Sequence, residues 1–391
     1  MRCFLLCLLL VAPSLAQNKA PASKPQSQPN GTTTFRNGPP TDSTFFPLAV
    51  WLQSPHNAER YQKLGINVYV GLFDGPTKPQ LEQLDKASMR TICQQNAVGL
   101  AHKGPAIIGW LQGDEPDNAQ AAPPGKTDYD PPIPPARVVE TYERMRAADP
   151  TRPVLLNLGQ GVAWDGWYGR GVRTNHPEDY PLYAKGSDMI SFDIYPVTHK
   201  HKDVAGRLEF VAKGVQRLVE WTNGKKPIWA CIETAHIDNK DERPSAEQVR
   251  SEVWLAIASG ANGILYFAHE FVPAFAEAGL LEHKEIAAAV GEINREVLGY
   301  APVLNTPIVT DAVEVTCKPA GSIAVRAHRS GDTLHLFTAS MQSTPVRATF
   351  AVKGKGAKVE VLDEKRSLAV SSGAFADDFA GYAVHHYRIA R

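Results

Sequence analysis

The sequence predicts a (β/α)8 barrel followed by a small antiparallel β-sandwich. Apolar runs alternate with amphipathic segments from Phe45 to about Asn305, a span close to the ~250 residues of a typical (β/α)8 barrel. The first run leads into a Trp-Leu-Gln-Ser-Pro segment. An open doubly wound sheet usually begins instead with a Gly-rich phosphate turn, which disfavours that fold. After Pro307 the helical period gives way to short alternating runs.

Eight apolar runs in the first region are predicted to be strands buried on both faces, because they are short and bounded by turn signals. They cover residues 46–52, 66–73, 89–95, 106–112, 154–158, 189–196, 228–233 and 263–267. Each run is followed by a helix or by a loop of suitable length. Strands joined in this way are parallel and close into a barrel.

Amphipathic helices are predicted between these strands, at residues 56–64, 78–86, 136–148, 206–222 and 246–258. Ser54 before Pro55 provides an N-cap followed by a first-turn proline, and Ser245 with Gln248 matches a capping box. Gly260 stands where the last of these helices should end.

The region after Pro307 is predicted to be a β-sandwich. Its alternating runs cover residues 322–328, 333–338, 346–352, 358–362 and 382–389, and Gly- and Asp-containing turns separate them. We therefore divide the chain into a barrel over residues 44–306 and an accessory β-sandwich domain over residues 307–391.

The composition and the N-terminus favour an exported protein that acts on neutral molecules. The chain has 391 residues, and Lys plus Arg and Asp plus Glu both total 41, so the formal net charge is zero. Zero net charge disfavours nucleic acid or an anionic membrane as the main partner. Residues 1–16 have the positive start, short apolar run and small-residue end of a secretory signal peptide, which predicts a secreted or periplasmic location.

Residues 17–43 are rich in Pro, Ser, Asn, Thr and Lys and poor in large apolar side chains. Such a segment cannot bury enough surface to order itself, so we expect a disordered, unpacked linker.

Three cysteines remain after the predicted signal peptide: Cys93, Cys231 and Cys317. They lack CxxC spacing, and Cys93 and Cys231 lie in apolar runs, so small buried side chains are the favoured interpretation. At most one disulfide is possible among them. No zinc or redox site is predicted.

Two glutamates end predicted barrel strands, where this fold places its chemistry. Glu115 follows the fourth strand and Glu233 ends the seventh. Strands four and seven lie on opposite sides of an eight-stranded barrel, so their end residues can face each other across its mouth. Cleavage of a glycosidic bond needs two such carboxyl groups, one that protonates the leaving oxygen and one that stays ionised.

With this arrangement the chain resembles the clan of retaining glycoside hydrolases that are (β/α)8 barrels with catalytic glutamates on strands four and seven. The Gly-Asp-Glu-Pro sequence around Glu115 is similar to the clan's Asn-Glu-Pro, and the Ile-Glu-Thr-Ala sequence around Glu233 is similar to its strand-seven glutamate. The resemblance covers the barrel, roughly two thirds of the chain. It implies a retaining β-glycosidase in which Glu115 is the acid/base and Glu233 the nucleophile. It also implies that Tyr195 on strand six donates a hydrogen bond to the nucleophile.

The chain departs from the clan at two positions. Asp114 stands where the clan has Asn; it can only accept hydrogen bonds when ionised, and its charge should raise the pKa of Glu115. Strand eight carries Tyr266 and then His269 where the clan usually places a tryptophan under the sugar. Asp114, Tyr266 and His269 are all candidate sugar contacts.

Further candidate substrate contacts lie at strand ends and in one loop. Trp51 ends strand one, Gln95 strand three, and Asn157 lies near the end of strand five. Trp164, Trp167 and Tyr168 lie among glycines and are typical of a stacking platform for sugar rings, although packing beneath a long loop explains them nearly as well.

Two other functions remain open from the sequence. A barrel that kept carbohydrate binding and lost catalysis also fits, and a metal-dependent hydrolase would require His236 and His269 to meet beside an acid. No HExxH or similar spacing supports a metal site, so we expect neither metal nor cofactor. Carbohydrate is the expected partner; the sugar, its linkage and the oligomeric state do not follow from the sequence.

Overall fold

The structure, a computed structural model, describes residues 26–27, 33–122, 129–353 and 358–390. The predicted signal peptide, residues 1–16, and much of the predicted linker lie outside these ranges. Within them, no helix combines the length and the apolar character that crossing a membrane requires.

Eight parallel strands close into a barrel, as predicted. They are β1 (Leu48–Trp51), β2 (Val68–Val70), β3 (Arg90–Gln94), β4 (Ile107–Leu111), β5 (Val154–Leu158), β6 (Met189–Phe192), β7 (Ile228–Glu233) and β8 (Gly263–Phe267). β8 pairs with β7 on one side and with β1 on the other, where Ile264 lies beside Leu48, and this pairing closes the sheet.

Helices surround the barrel on its outer face. They are α1 (Ala58–Lys63), α2 (Lys78–Lys86), α3 (Ala97–Ala101), α4 (Pro135–Ala148), α5 (Tyr180–Tyr183), α6 (Glu209–Trp221), α7 (Ala246–Ser259), α8 (Gly279–Glu282) and α9 (Lys284–Leu304).

Strand side chains divide between two cores. On β7, Trp229 and Cys231 pack in the barrel interior, whereas Ala230 and Ile232 pack in the layer between the barrel and its helices. Because both faces are buried, the strands appear in the sequence as unbroken apolar runs.

The helix caps agree with the sequence at one of the two predicted positions. Ser245 and Gln248 form a complete capping box at the start of α7, and Gly260 ends that helix with a φ of 120°. Ser54, in contrast, makes no side-chain cap for the short 3-10 helix Pro55–Asn57; its hydroxyl contacts His56 Nδ1 instead.

A β-sandwich follows the barrel, also as predicted. Its strands are β9 (Val313–Cys317), β10 (Ile323–Ser330), β11 (Thr333–Ser340), β12 (Val346–Val352), β13 (Lys358–Val361), β14 (Arg366–Ala369), β15 (Ala374–Phe379) and β16 (Val384–Ala390). One antiparallel sheet has the order β9-β12-β15 and the other β10-β11-β16-β13-β14. Phe350 and Phe375 stack in the core between them.

The described part of the predicted linker packs against the barrel, which corrects the expectation that residues 17–43 are unpacked. The Asn37 backbone N–H donates to Thr151 O at 2.9 Å, and the Arg146 guanidinium lies 4.8 Å from the centre of the Phe35 ring. Thr151 precedes β5, so this segment covers the amino-terminal end of the barrel. A single aromatic residue gives it an anchor that its overall composition does not reveal.

Candidate active site

A cleft of about 1040 Å³ opens at the carboxyl ends of the barrel strands. Residues that follow β1, β2, β4, β5, β6, β7 and β8 contribute to its wall. This is the end at which (β/α)8 barrels place their active sites.

A pair of carboxyl groups, Glu115 after β4 and Asp193 after β6, lies in this cleft. The two side chains are within hydrogen-bonding contact, and both are partly buried. Burial, and then the neighbouring carboxylates, raise the pKa of each group above its usual range. Two carboxylates this close cannot both be ionised near neutral pH, so the pair shares a proton.

We assign the proton of this pair to Glu115. The hydrogen bond between the two groups raises the pKa of Glu115 and lowers that of Asp193, which is the effect of a protonated Glu115 donating to an ionised Asp193. Tyr195 stabilises the ionised partner further, because its hydroxyl donates to Asp193 Oδ2 at 2.9 Å. The site therefore holds one acid and one carboxylate side by side.

The loop after β4 holds Glu115 in an uncommon conformation. Its backbone has a φ of 41°, and its N–H donates to Asn157 O at 3.2 Å. Asn118 Nδ2 donates to Glu115 Oε2 at 2.8 Å, and Trp167 Nε1 donates to Asn118 Oδ1 at 2.8 Å. A Cβ on Gly159 would lie 2.9 Å from Glu115 Oε1, so only glycine leaves room for the carboxyl group at this point.

Asp114 and Asn157 also lie in the cleft, as predicted, and they contact each other. Asn157 Nδ2 donates to Asp114 Oδ1 at 2.9 Å, and its Oδ1 accepts from the Ser191 hydroxyl at 2.7 Å. Asp114 is among the groups whose charge raises the pKa of Glu115, after burial and Asp193.

Glu233 does not line the cleft. Its side chain is fully buried, its Oε1 accepts from the Val197 N–H at 2.6 Å and its Oε2 from the Thr198 N–H at 2.9 Å. The carboxyl group also contacts Glu252 of α7. The prediction that Glu115 and Glu233 face each other across one cleft is therefore wrong, because backbone amides of the loop after β6 hold the Glu233 carboxylate away from the mouth.

The predicted aromatic contacts divide between the wall of the cleft and the layer behind it. Trp51, Trp167 and Tyr195 line the cleft. Trp164 lies behind this wall, where its ring contacts Trp167 at 6.2 Å and His201 at 4.7 Å between centroids. It therefore supports the platform and does not belong to its surface. Tyr195 donates to Asp193 and not to Glu233, the partner that the resemblance implied.

Of the remaining candidates, His269 lines the cleft and Tyr266 and Gln95 do not. The Tyr266 hydroxyl donates to Asn294 Oδ1 at 2.8 Å in the layer outside the barrel. Gln95 Nε2 donates to Met145 O at 3.1 Å. Because side chains alternate along a strand, Phe267 occupies the position in the cleft that was assigned to Tyr266.

Several cleft residues were missed by the sequence analysis, above all Asp193. The signal for it was present, since Asp193 follows an apolar strand as Glu115 does. Phe271 and Phe275 after β8 and His199 also line the cleft, whereas Tyr168, which lines it too, was predicted as part of the stacking platform. They belong to loops, whose course a single sequence does not determine.

His236 and the three cysteines that the structure describes show no arrangement for metal or redox chemistry. His236 contacts Glu270 and Arg243 rather than His269. In the described ranges no three His, Cys, Asp or Glu side chains are arranged to hold a metal ion. Cys93, Cys231 and Cys317 are free and buried, and burial raises the pKa of the Cys93 and Cys231 thiols.

Residues 137–298 match the model of glycoside hydrolase family 42, described as β-galactosidase. The matched segment is less than half of the chain; it includes Asp193, Tyr195 and Glu233 but not Glu115. None of the curated protein sequences matches this chain.

Solved structures with a similar fold include two α-amylases and an endoxylanase. The α-amylase of Geobacillus thermoleovorans is 9% identical, with a TM-score of 0.50 over 92% of this chain and 99% of its own. The α-amylase of Lactobacillus plantarum is 13% identical, with a TM-score of 0.48 over 88% and 99%, and the GH30 endoxylanase of Clostridium papyrosolvens is 11% identical, with a TM-score of 0.44 over 92% and 98%. At these identities the likeness concerns the fold alone. The family match, taken with the closed eight-stranded barrel, identifies the chain as a (β/α)8-barrel glycoside hydrolase.

Proposed function

We propose that this chain is an exported glycosidase that cleaves β-linked glycosides with retention of configuration, with Glu115 as the acid/base and Asp193 as the nucleophile. The observation that carries the proposal is the Glu115–Asp193 pair, two carboxyl groups in hydrogen-bonding contact at the mouth of the barrel. The β-galactosidase description of the matching family supports a β-linked substrate. The signal-like residues 1–16 support export.

The separation of the two carboxyl groups favours retention. Inverting enzymes keep their carboxyl groups ~6.5–9.5 Å apart to admit a water molecule, and retaining enzymes ~5–5.5 Å apart. Glu115 and Asp193 are in contact, so their separation is nearer to the retaining than to the inverting distance.

In the first step, Asp193 attacks the anomeric carbon and the bond to the leaving oxygen breaks. That oxygen takes its electron pair and the proton of Glu115. Asp193 Oδ1 is suited to the attack, because apart from the Glu115 carboxyl group it has no hydrogen-bond partner among the described groups, whereas Oδ2 accepts from Tyr195. In the second step the Glu115 carboxylate takes a proton from water as the water displaces Asp193. Two inversions at the same carbon give retention.

A second candidate function, a carbohydrate-binding barrel without catalysis, is favoured by one specific observation. The carboxylate at the end of β7 is withdrawn from the cleft and bound by two backbone amides. If catalysis required that carboxylate, the cleft would bind sugars without cleaving them.

The experiment that separates these functions is turnover of a panel of 4-nitrophenyl glycosides by wild type, Asp193→Asn, Glu115→Gln and Glu233→Gln. We expect Asp193→Asn to lose activity by about 10³-fold or more. Glu115→Gln should spare activated aryl glycosides and lose about 10²-fold or more on substrates with poor leaving groups. Glu233→Gln should keep most of the activity.

Product analysis by NMR should show the β-anomer first. A nearly inactive Glu233→Gln with an active Asp193→Asn would overturn the assignment of the nucleophile, and sugar binding without turnover by wild type would favour the binding protein. Export is tested separately, by cell fractionation and by the N-terminal residue of the mature chain.

A further inference from the structure

We propose that the cleft takes a glycoside whose aglycone is apolar, such as a phenyl group, and holds it on an aromatic shelf formed by Phe267, Phe271 and Phe275. This inference rests on the proposed function and concerns the substrate class of the same site. It comes from a surface beside the carboxyl pair that the mechanism does not use.

The shelf runs without a break from the reacting groups to the rim of the cleft. Tyr195, which donates to Asp193, contacts the Phe267 ring at 5.1 Å between centroids. Phe267 contacts Phe271 at 5.8 Å, and Phe271 contacts Phe275 at 5.8 Å. A substrate cleaved at Asp193 therefore extends along these rings if it passes on the β8 side of the cleft.

The shelf exposes more apolar surface than isolated side chains usually do. Phe271 is 45% exposed and Phe275 63% exposed, and both line the same cleft. Single exposed apolar residues are common, but neighbouring rings in line within a concave site are typical of a binding surface.

Hydrogen bonds and ion pairs hold the loop that carries these rings in place. Glu270 and Ala276 pair through two backbone hydrogen bonds of 2.9 Å. The Glu270 carboxylate accepts from Arg243 at 2.5 Å and lies 3.2 Å from His283 Nε2. Glu277, at the far end of the loop, accepts from the Ser54 backbone N–H. Binding therefore does not have to order the loop, which lowers the entropic cost of using it.

Polar groups beside the shelf are already bonded within the protein. His269 Nε2 donates to Leu52 O at 3.1 Å, and burial lowers the pKa of this imidazole, which keeps it neutral. Gln53 donates to Glu277 O at 2.6 Å and accepts from Tyr61 at 2.5 Å. A second sugar ring placed here would find few partners for its hydroxyl groups, whereas an apolar ring needs none.

The opposite wall of the cleft combines aromatic rings with polar side chains, which suits a sugar ring. Trp167 and Tyr168 contact each other at 4.7 Å, and Asp114, Asn157 and Gln160 lie beside them in the cleft. The geometry thus divides the cleft into a polar side with a stacking platform for the glycone and an apolar side for the aglycone.

The test compares two non-hydrolysable inhibitors that differ only in the aglycone, the phenyl and the methyl β-thioglycoside. Their sugar is the one whose 4-nitrophenyl glycoside the wild-type chain hydrolyses fastest. We expect the phenyl compound to inhibit about tenfold or more strongly than the methyl compound. In the Phe271→Ala/Phe275→Ala variant the ratio of inhibition constants should approach one.

Leu182→Ala is the matched control, because Leu182 is 45% exposed, as Phe271 is, but lies on α5 away from the cleft. It should keep the wild-type ratio. Phe275→Ala alone removes an exposed side chain and should lower the ratio even if the double variant does not fold.

A wild-type ratio near one, or a ratio that both Phe variants leave unchanged, would reject the shelf while the glycosidase assignment stands. Failure of the wild type to hydrolyse any glycoside would reject the proposed function, and the shelf with it.

Discussion

The Glu115 backbone lies in the left-handed region that residues with a side chain rarely occupy. Leu52 and Asp74, which follow β1 and β2, have positive φ values of 47° and 49°. All three residues lie at the end of the barrel that holds the cleft, and residues in this region of φ are often found at functional sites. At Glu115 the conformation places an acid between Asn118 and Asp193.

Gly159→Ala should impair catalysis with little effect on folding. Gly159 has a φ of −83°, which any residue adopts, but its Cβ would lie 2.9 Å from Glu115 Oε1 and 2.7 Å from Asn118 Nδ2. The acid would have to move, and a displacement of about 1 Å can cost ~10²-fold in rate. Kinetics and thermal unfolding would be measured together.

Gly299→Ala serves as control, because it lies in α9 with open space around its Cβ and should stabilise the chain by about 0.5–1 kcal/mol without changing turnover. Full activity in Gly159→Ala would contradict the position assigned to the Glu115 carboxyl group.

Asp114→Asn should move the alkaline limb of the pH–rate profile to lower pH. Asp114 is one of the charges that raise the pKa of Glu115, so its removal makes the acid lose its proton at a lower pH. The measurement is kcat/KM on an aryl glycoside across the pH range. Asp238→Asn, which lines the same cleft but is not among the charges that raise the Glu115 pKa, should leave the limb in place. A shift of the alkaline limb to higher pH in Asp114→Asn would contradict this account.

At the scale of elements, the loop after β6 is fastened to β7 and α7 by a second pair of carboxyl groups, Glu233 and Glu252. Among the described groups no nitrogen or hydroxyl donates to either oxygen of Glu252. Their mutual hydrogen bond raises the pKa of Glu252 and lowers that of Glu233. Glu252 is therefore the protonated partner that donates to Glu233, which also accepts from Val197 and Thr198.

This pair should make the protein less stable as the pH rises. Burial raises the pKa of Glu233 and Glu252 above the ordinary value of 4.5, so the folded chain keeps a proton that the unfolded chain has lost. The contribution of this pair to the stability of the folded chain is complete below pH 4.5 and is lost as the pH rises towards neutral. The Glu115–Asp193 pair acts in the same direction.

Glu252→Gln should remove part of this pH dependence, because its amide can donate to Glu233 at every pH. Urea unfolding at several pH values would measure the effect. If the free energy of unfolding changed equally with pH in wild type and in Glu252→Gln, the buried pair would not titrate on unfolding.

The course of the barrel strands could be predicted from the sequence, but not the direction of each side chain at their ends. In β8 every residue is buried, so alternation is invisible in the apolar pattern, and Tyr266 was assigned to the cleft wrongly. Glu233 lies two residues after Cys231, which faces the barrel interior, so alternation alone also directs Glu233 inward. What decides the position of Glu233 is a pair of backbone amides from another loop, which no local pattern records.

In the sandwich, β9, β14 and β15 were missed. β14 (RSLA) and β15 (AFADDF) carry little apolar alternation, and β9 (VEVTC) is a short strand that alternates only over five residues. Helix α9 was also missed; it lacks a side-chain cap and contains Pro302.

At the scale of the whole molecule, α7 joins the barrel to the sandwich. Its Trp254 stacks on Phe337 of β11 at 5.6 Å and contacts His386 of β16 at 4.0 Å. Near the end of α7, the buried Arg326 of β10 donates to Ala261 O at 2.6 Å. The two domains therefore share a core layer and should unfold together.

Arg326 is central to this interface, because in the described part of the chain it pairs with carbonyl groups and not with a carboxylate. It donates to Ile257 O and Ala261 O and, through Nε, to His328 Nε2 at 2.9 Å. Burial lowers the pKa of Arg326 to about 10, so it remains charged at neutral pH beside the negative end of the α7 dipole. Burial lowers the pKa of His328 to about 3, so His328 stays neutral and can accept.

Arg326→Ala should destabilise the whole chain by about 3 kcal/mol or more, because it leaves a cavity and unpaired carbonyl groups at the interface. It should also split the single unfolding transition of the wild type into two, since the sandwich would lose its charged contact with α7. Calorimetry measures both effects.

Arg347→Ala is the matched control: it removes an exposed ion pair with Asp378 on the same sandwich, and such a pair contributes less than about 1 kcal/mol. If Arg326→Ala unfolded in one transition at the wild-type temperature, the sandwich would be attached to the barrel by its apolar contacts alone, and the buried arginine would have no part in joining the two domains.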